Sequence, residues 1–158
     1  MVKTVLTCMF LCLWIAVADA QNIQRETGIR LGWGGGVSHK TSHPGGWMWE
    51  GFAGARFGGV SLGLILGRES PLGETGIKGE WGGGLRLGLH DRYNHIGESH
   101  ANKPVHLNPG VILSAGLTYE LKRLPFNLGV SYLPSFVFYS ERVFEGENIH
   151  LVMRYRWD

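Results

Sequence analysis

Cysteine is scarce in this 158-residue chain, and the two that occur, Cys8 and Cys12, both fall within the first twenty residues. No disulfide framework can therefore hold the remainder together. Charge is sparse too: 18% of residues are Asp, Glu, Lys or Arg, and the formal net charge of +2 is too small for the electrostatic footprint of a nucleic-acid-binding domain. There is no Gly-X-Y period, which excludes collagen. Beyond residue 20 no apolar run approaches the roughly 20 residues of a membrane-spanning helix, which excludes a helical membrane protein. Helical periodicity is nearly absent. What is abundant is glycine, with 25 residues, and aromatic side chains, at 11%. That aromatic content excludes a disordered chain, and the length suits a single domain.

The N-terminus has the anatomy of an export signal. Lys3 precedes an apolar run from Val5 to Val17, and Ala18-Asp19-Ala20 supplies a small-x-small cleavage pattern. Residues 1–20 are expected to be a signal peptide cleaved before Gln21, leaving 21–158 as the exported domain. A lipoprotein would need a small residue before its cysteine at the end of a longer apolar stretch, which neither Thr7-Cys8 nor Leu11-Cys12 supplies. Removal of Lys3 and Asp19 changes the balance from 15 basic and 13 acidic residues to 14 and 12.

Period-two alternation recurs through the rest of the chain, the mark of half-buried strands. Seven segments show it: Thr27–Val37, Trp47–Phe57, Val60–Gly67, Ile77–Leu89, Gly110–Glu120, Phe126–Ser140 and Ile149–Trp157. Turn chemistry separates them. Gly58-Gly59 reads as a two-residue hairpin turn. Ser38–Gly46, Arg68–Thr75, Leu121–Pro125 and Glu141–Glu147 read as loops or turns, and His90–Pro109 as the longest loop. Single-chain outer-membrane barrels usually have an even strand count. The eighth strand is expected either from a split of Phe126–Ser140 at Pro134 or from the short piece Asn22–Glu26.

One face of each segment is Leu, Val, Ile, Trp, Phe and Tyr. The other mixes glycine with Arg30, Arg56, Lys78, Arg86, Arg154 and Arg156, and with Glu50, Glu80 and Glu120. Glycine weakens a solvent-facing strand. It fits the crowded interior of a small barrel, where it would make room for long charged side chains. The apolar face would then meet lipid, although six basic residues against three acidic leave the interior charge unbalanced. A soluble barrel with the faces reversed stays open at this point. Trp47, Trp49, Trp81, Tyr119, Tyr155 and Trp157 stand near strand ends, as an interfacial girdle requires. The fold class is thus all-β: a single antiparallel transmembrane β-barrel of eight strands.

The stretches Gly28–Val37 (GIRLGWGGGV), Trp81–Leu89 (WGGGLRLGL), Asn108–Tyr119 and Leu124–Pro134 (LPFNLGVSYLP) resemble a family of small outer-membrane β-barrels of Bacteroidetes-type Gram-negative bacteria. The resemblance implies the fold and a location in the cell outer membrane. Outer-membrane lipid, lipopolysaccharide and the barrel-assembly machinery are the partners that go with such a location. Its motifs are glycine and aromatic placements, so it transfers no active site.

Several features invite a chemical reading. His39, His43, His90, His95, His100 and His106 lie in or beside expected loops, with Asp91 and Glu98 nearby, but their spacing forms no defined metal-ligand set. Glu98-Ser99-His100 contains the residue types of a lipid hydrolase triad, yet neighbours in an extended chain point apart. Gly34–Gly36 and Gly82–Gly84 lack the ending of a phosphate loop and open no helix. Lumenal Arg and Glu residues could line a channel, but eight strands leave the interior filled. No catalytic, cofactor-binding or metal-binding residue is assigned. The function expected is a structural or loop-mediated role in the cell envelope, without enzymatic activity. An unknown extracellular partner could be engaged through residues 90–109, with Tyr93 and His95 as the first surface positions. The alternatives are a lipid A or phospholipid hydrolase and a metal or haem binder using the histidine loops. The long loop 90–109 and loop 141–147 are expected outside the cell, and the 121–125 turn and Trp157 on the periplasmic side.

Overall fold

The structure is a computed structural model and describes residues 23–32, 34–56, 59–91, 105–139, 141–145 and 148–157. The expected signal peptide lies outside these residues. So do Tyr93, His95, Glu98, Ser99 and His100.

Ten strands make up the described chain: β1 (Gln24–Leu31), β2 (Gly34–Ser42), β3 (Trp47–Arg56), β4 (Gly59–Pro71), β5 (Ile77–Asp91), β6 (Val105–Glu120), β7 (Phe126–Tyr132), β8 (Ser135–Tyr139), β9 (Glu141–Glu145) and β10 (Ile149–Trp157). They form eight staves. β7 and β8 share one stave in a continuous register, since Tyr132 pairs with Ala115 and Ser135 with Ile112. The Leu113 N–H bridges the pause by donating to the Pro134 carbonyl at 2.9 Å. β9 and β10 share the last stave. Ser135 pairs with Glu145 and Tyr132 with Ile149, so this stave carries one extra residue, a bulge between its two halves. Each stave is antiparallel to the next, and β1 closes the ring by pairing with β10 from Arg25↔Trp157 to Leu31↔Leu151. The result is a closed eight-stranded antiparallel barrel, from which the β8–β9 hairpin continues past the end of β1 with β9 paired on one side, to β8.

The eighth strand arises from neither expected source. The Thr27–Val37 segment is two strands, β1 and β2, folded about residues 32–34, and Asn22–Glu26 supplies only the beginning of β1. Alternation hides this turn for a simple reason. Leu31 pairs with Gly35 and Arg30 with Gly36, and paired residues point to the same side. The inside–outside rhythm therefore runs through the turn without a missed beat. Pro134 interrupts a ladder but not a stave.

The strands also outrun the expected loops. β2 continues to Ser42, β4 to Pro71, β5 to Asp91, β6 begins at Val105, and Glu141–Glu145 is β9. The Gly58-Gly59 turn is displaced, because Gly59 already pairs with Arg56. These extensions are polar, and Pro71 and Pro109 read as strand breakers. They stay in the ladder because the side they turn inward is a polar lumen. The short connections 43–46, 72–76 and 121–125 all lie at one end of the barrel, with Gly46, Gly73 and Gly76 at positive φ. β3 and β5 end, and β4 and β6 begin, at the other end.

Among the described side chains the assigned faces hold. Val60, Leu62, Leu64 and Leu66 are exposed on the outside of β4 while Ile65 is fully buried within; Leu85, at 68% exposure, and Leu87 stand outside β5. The reason for the inward glycines differs from the one expected. A Cβ on Gly84 would stand 1.9 Å from the Leu64 carbonyl oxygen, and one on Gly28 would stand 2.0 Å from that of Met153. Glycine at these positions lets tightly curved neighbouring staves approach. Gly63 is different: its missing Cβ is replaced by the ring of Phe52, 2.3 Å away, so there glycine does make room for a side chain.

Gly84→Ala should therefore destabilise the barrel by about 1–3 kcal/mol or more, as overpacking does. Gly51→Ala, where an added Cβ meets nothing within 4 Å, should be close to neutral. Urea unfolding in detergent, followed by heat-dependent gel mobility, measures both. Equal losses would contradict the curvature argument.

Candidate functional site

The lumen at the short-turn end is filled by charge. Eight side chains alternate in sign along one chain of contacts. Glu120 meets Lys78 at 2.7 Å, Lys78 meets Glu69 at 3.4 Å, and Glu69 meets Lys40 at 3.0 Å. Lys40 meets Glu80 at 2.7 Å, Glu80 meets Arg154 at 3.6 Å, and Arg154 meets Glu50 at 2.9 Å. Glu50 then accepts from Arg30. Glu26 branches off, 3.5 Å from Lys40 and accepting from the Asn127 amide at 2.9 Å. Thr118 donates to Glu80, and Arg30 donates to Ser131.

These residues come from β1, β2, β3, β4, β5, β6, β7 and β10, so the network braces every stave. Lys40 is fully buried and Arg154 only 1% exposed. Such groups are tolerable only when paired and hydrogen-bonded. The imbalance expected from sequence is narrowed by residues that stood in supposed loops or outside the strands, while Arg86 and Arg156 face inward outside this network. Lys40, Glu26 and Glu69 all point inward, giving five carboxylates and four cations in the network. The signal that could have found them is the extension of each strand's parity into its polar flank.

Above the charges sits an apolar layer. Ile65, Ile112 and Leu133 are buried against one another, with Phe52 packed on them. The Arg30 guanidinium lies 5.6 Å from the Phe52 ring centre, where the two layers join. Beyond this layer is a cavity of about 70 Å³ lined by Arg30, Phe52, Arg86, Ser135, Asn148 and His150 among others. That is room for a few water molecules, and far below the 300 Å³ or more of a typical cofactor pocket.

The described histidines form no single cluster. His39 lies on the outer face of β2. His43 opens the 43–46 turn, where its N–H donates to the Trp47 carbonyl. His90 and His106 are paired positions on β5 and β6 and belong to strands, not to a loop. His150, inside the cavity, is the one histidine that the sequence reading left aside. Among the described residues no group of three His, Cys, Asp or Glu side chains could hold a metal ion.

The outside of the barrel is apolar from stave to stave, bounded at the short-turn end by Trp47, Trp49, Trp81, Tyr119, Tyr155 and Trp157, all exposed. Within that girdle lies a polar pair missed in sequence. Thr27 Oγ1 and His39 Nδ1 are 2.8 Å apart, and the Trp157 indole N–H donates to the same hydroxyl at 3.1 Å. A hydroxyl beside an imidazole is half of a nucleophilic site. The flanking backbone N–H groups, however, are committed to the β1, β2 and β10 ladders and are not aimed at an oxyanion.

No protein-family model matches the chain, and no curated protein matches it by sequence. Among solved structures it is similar to the N-terminal β-barrel domain of OprF from Pseudomonas aeruginosa, with a TM-score of 0.60 over 85% of this chain and 96% of that one. The identity is 11%, so the likeness concerns the fold.

Lys40→Met would leave Glu26, Glu69 and Glu80 without their shared cation. It should destabilise the barrel by about 3–5 kcal/mol, the usual cost of breaking a buried ion pair from one side. Adding Glu80→Gln should recover part of that loss in a double-mutant cycle read by urea unfolding. Strict additivity would mean that the network does not act as a unit.

Proposed function

We propose that the protein is an outer-membrane β-barrel with a closed lumen, acting as a structural element or through its outer connections, without enzymatic activity. The observation that carries this reading is the inversion of the fold: an apolar, aromatic-girdled exterior around an interior of paired charge. Soluble barrels bury the first and expose the second. β5 and β6, at 15 and 16 residues, exceed the roughly 9–11 residues that a tilted membrane strand requires. The likeness in fold to the OprF barrel supports the same location. The short-turn end then faces the periplasm and the connection 92–104 the outside, the usual disposition of short and long connections.

Against hydrolysis stand the committed N–H groups around Thr27 and His39. Against an open channel stand the Ile65, Ile112 and Leu133 layer and the charges beneath it, which close the lumen in series. Lipid A and phospholipids from cells with and without the protein should have identical acyl compositions by mass spectrometry. Loss of an acyl chain only when the protein is present would overturn the non-enzymatic reading.

Two further outcomes test the placement. Leu87→Arg, on the outer face, should cost about 2–4 kcal/mol near the bilayer midplane, whereas Ser114→Thr in the lumen should cost much less; unfolding from lipid vesicles measures both. An epitope inserted at Asn102 should be labelled on intact cells. Labelling only after permeabilisation would reverse the orientation.

A further inference from the structure

At the short-turn end, two strand side chains among those described point outward and carry a full charge, and both are arginines. Arg25 pairs across β1 with Trp157 on one side and Thr41 on the other. Arg68 is paired with Trp47 and with Trp81, and its guanidinium lies 4.7 Å from the Trp47 ring centre. The described carboxylates of the strands at this end, Glu26, Glu69, Glu80 and Glu120, turn inward and are spent on the lumenal network. The adjoining turn adds Lys122 and Arg123, both exposed, against the single exposed acid Glu74 of the 72–76 turn. Among the described residues the outer rim at this end is therefore basic, and it lies at the level of the aromatic girdle.

Beside Arg25, the Trp157 indole donates to Thr27, and the Thr27 hydroxyl can in turn donate a hydrogen bond to His39 Nδ1. In that chain the imidazole carries its remaining proton on Nε2, a donor for a group arriving from outside. The His39 ring lies 5.7 Å from that of Trp49. Gly51, the position paired with His39 on β3, leaves open space where a side chain would stand.

Resting on the membrane reading above, we propose that this face binds the phosphate of anionic glycerophospholipids in the adjoining leaflet. One seat is formed by Arg25 and His39 between Trp157 and Trp49, with an acyl chain lying over Gly51. A second seat is formed by Arg68 between Trp47 and Trp81. Guanidinium and imidazole N–H groups match phosphate oxygens. The tryptophans hold the depth at which headgroups occur.

Native mass spectrometry of the purified barrel in neutral detergent, with phosphatidylglycerol or phosphatidylcholine of matched chain length added, tests this. The wild-type barrel should retain phosphatidylglycerol in clear preference. Arg25→Gln and Arg68→Gln should each lower that preference by about fivefold, the scale of one basic residue at an anionic surface. His39→Gln should lower it as well. Lys122→Gln with Arg123→Gln should leave most of it, whereas an equal loss from that pair would replace the two seats by diffuse rim charge and overturn the proposal. Inorganic phosphate should not displace the bound lipid. Displacement, or retention of lipid A in preference to phosphatidylglycerol, would also overturn it. Heat-dependent gel mobility and insertion into vesicles, followed on the same samples, report separately on the membrane reading. Wild-type protein that inserts normally yet shows no headgroup preference defeats this proposal alone.

Discussion

Inside a ring of eight staves there is too little space for bulk water, so each charge placed there must meet an opposite charge directly. The rest of the architecture follows from that requirement. The alternating chain from Glu120 to Arg30 draws on seven of the eight staves, and Asn127 and Ser131 tie in the eighth. Lys40 and Arg154 sit at its branch points, each among three carboxylates. Because each pair joins two different staves, the network rewards one register and penalises others: a slip of one residue would turn a whole strand's charges outward. The narrowness that makes pairing possible also demands glycine where staves curve most sharply, as at Gly28 and Gly84.

The same geometry orders the lumen along its axis. Charges occupy the short-turn half, an apolar layer of Phe52, Ile65, Ile112 and Leu133 crosses the middle, and a small cavity opens beyond it. Arg30 belongs to all three, binding Glu50 below, lying against Phe52, and lining the cavity. The exterior is the complement of this. With charge drawn inward, the outside is free to be Leu, Val and Ile over its central belt, and the aromatic residues mark its edge. Arg25 and Arg68 depart from the belt only where the girdle has already begun.

Much of this was legible in the chain itself. The faces of Val60–Gly67, Ile77–Leu89 and Ile149–Trp157 follow from alternation alone, because a two-sided strand must separate apolar from polar residues. The β1–β2 turn was not legible, since its register preserves that alternation. Lys40 and Glu69 were missed because they lie in Ser- and Pro-containing stretches that read as loops; local turn propensity yielded there to long-range charge pairing. The Thr27, His39 and Trp157 cluster joins residues 12 and 130 positions apart, and only closure of the barrel brings β10 beside β1. The expected reason for the glycines was incomplete for a similar cause, because close approach of backbones depends on curvature, which no local pattern records.

The claim on which the account rests is that the apolar face meets lipid while the charged face is sealed within. Spin labels on single cysteines along β4, introduced after Cys8 and Cys12 have been replaced, would test it in lipid vesicles. Labels at positions 62, 64 and 66 should be relaxed strongly by oxygen, which concentrates in the bilayer, and weakly by a water-soluble nickel chelate. Labels at 61, 63 and 65 should respond little to either. Strong relaxation by the chelate at 62, 64 and 66 would mean that the apolar face stands in water, and would contradict the account.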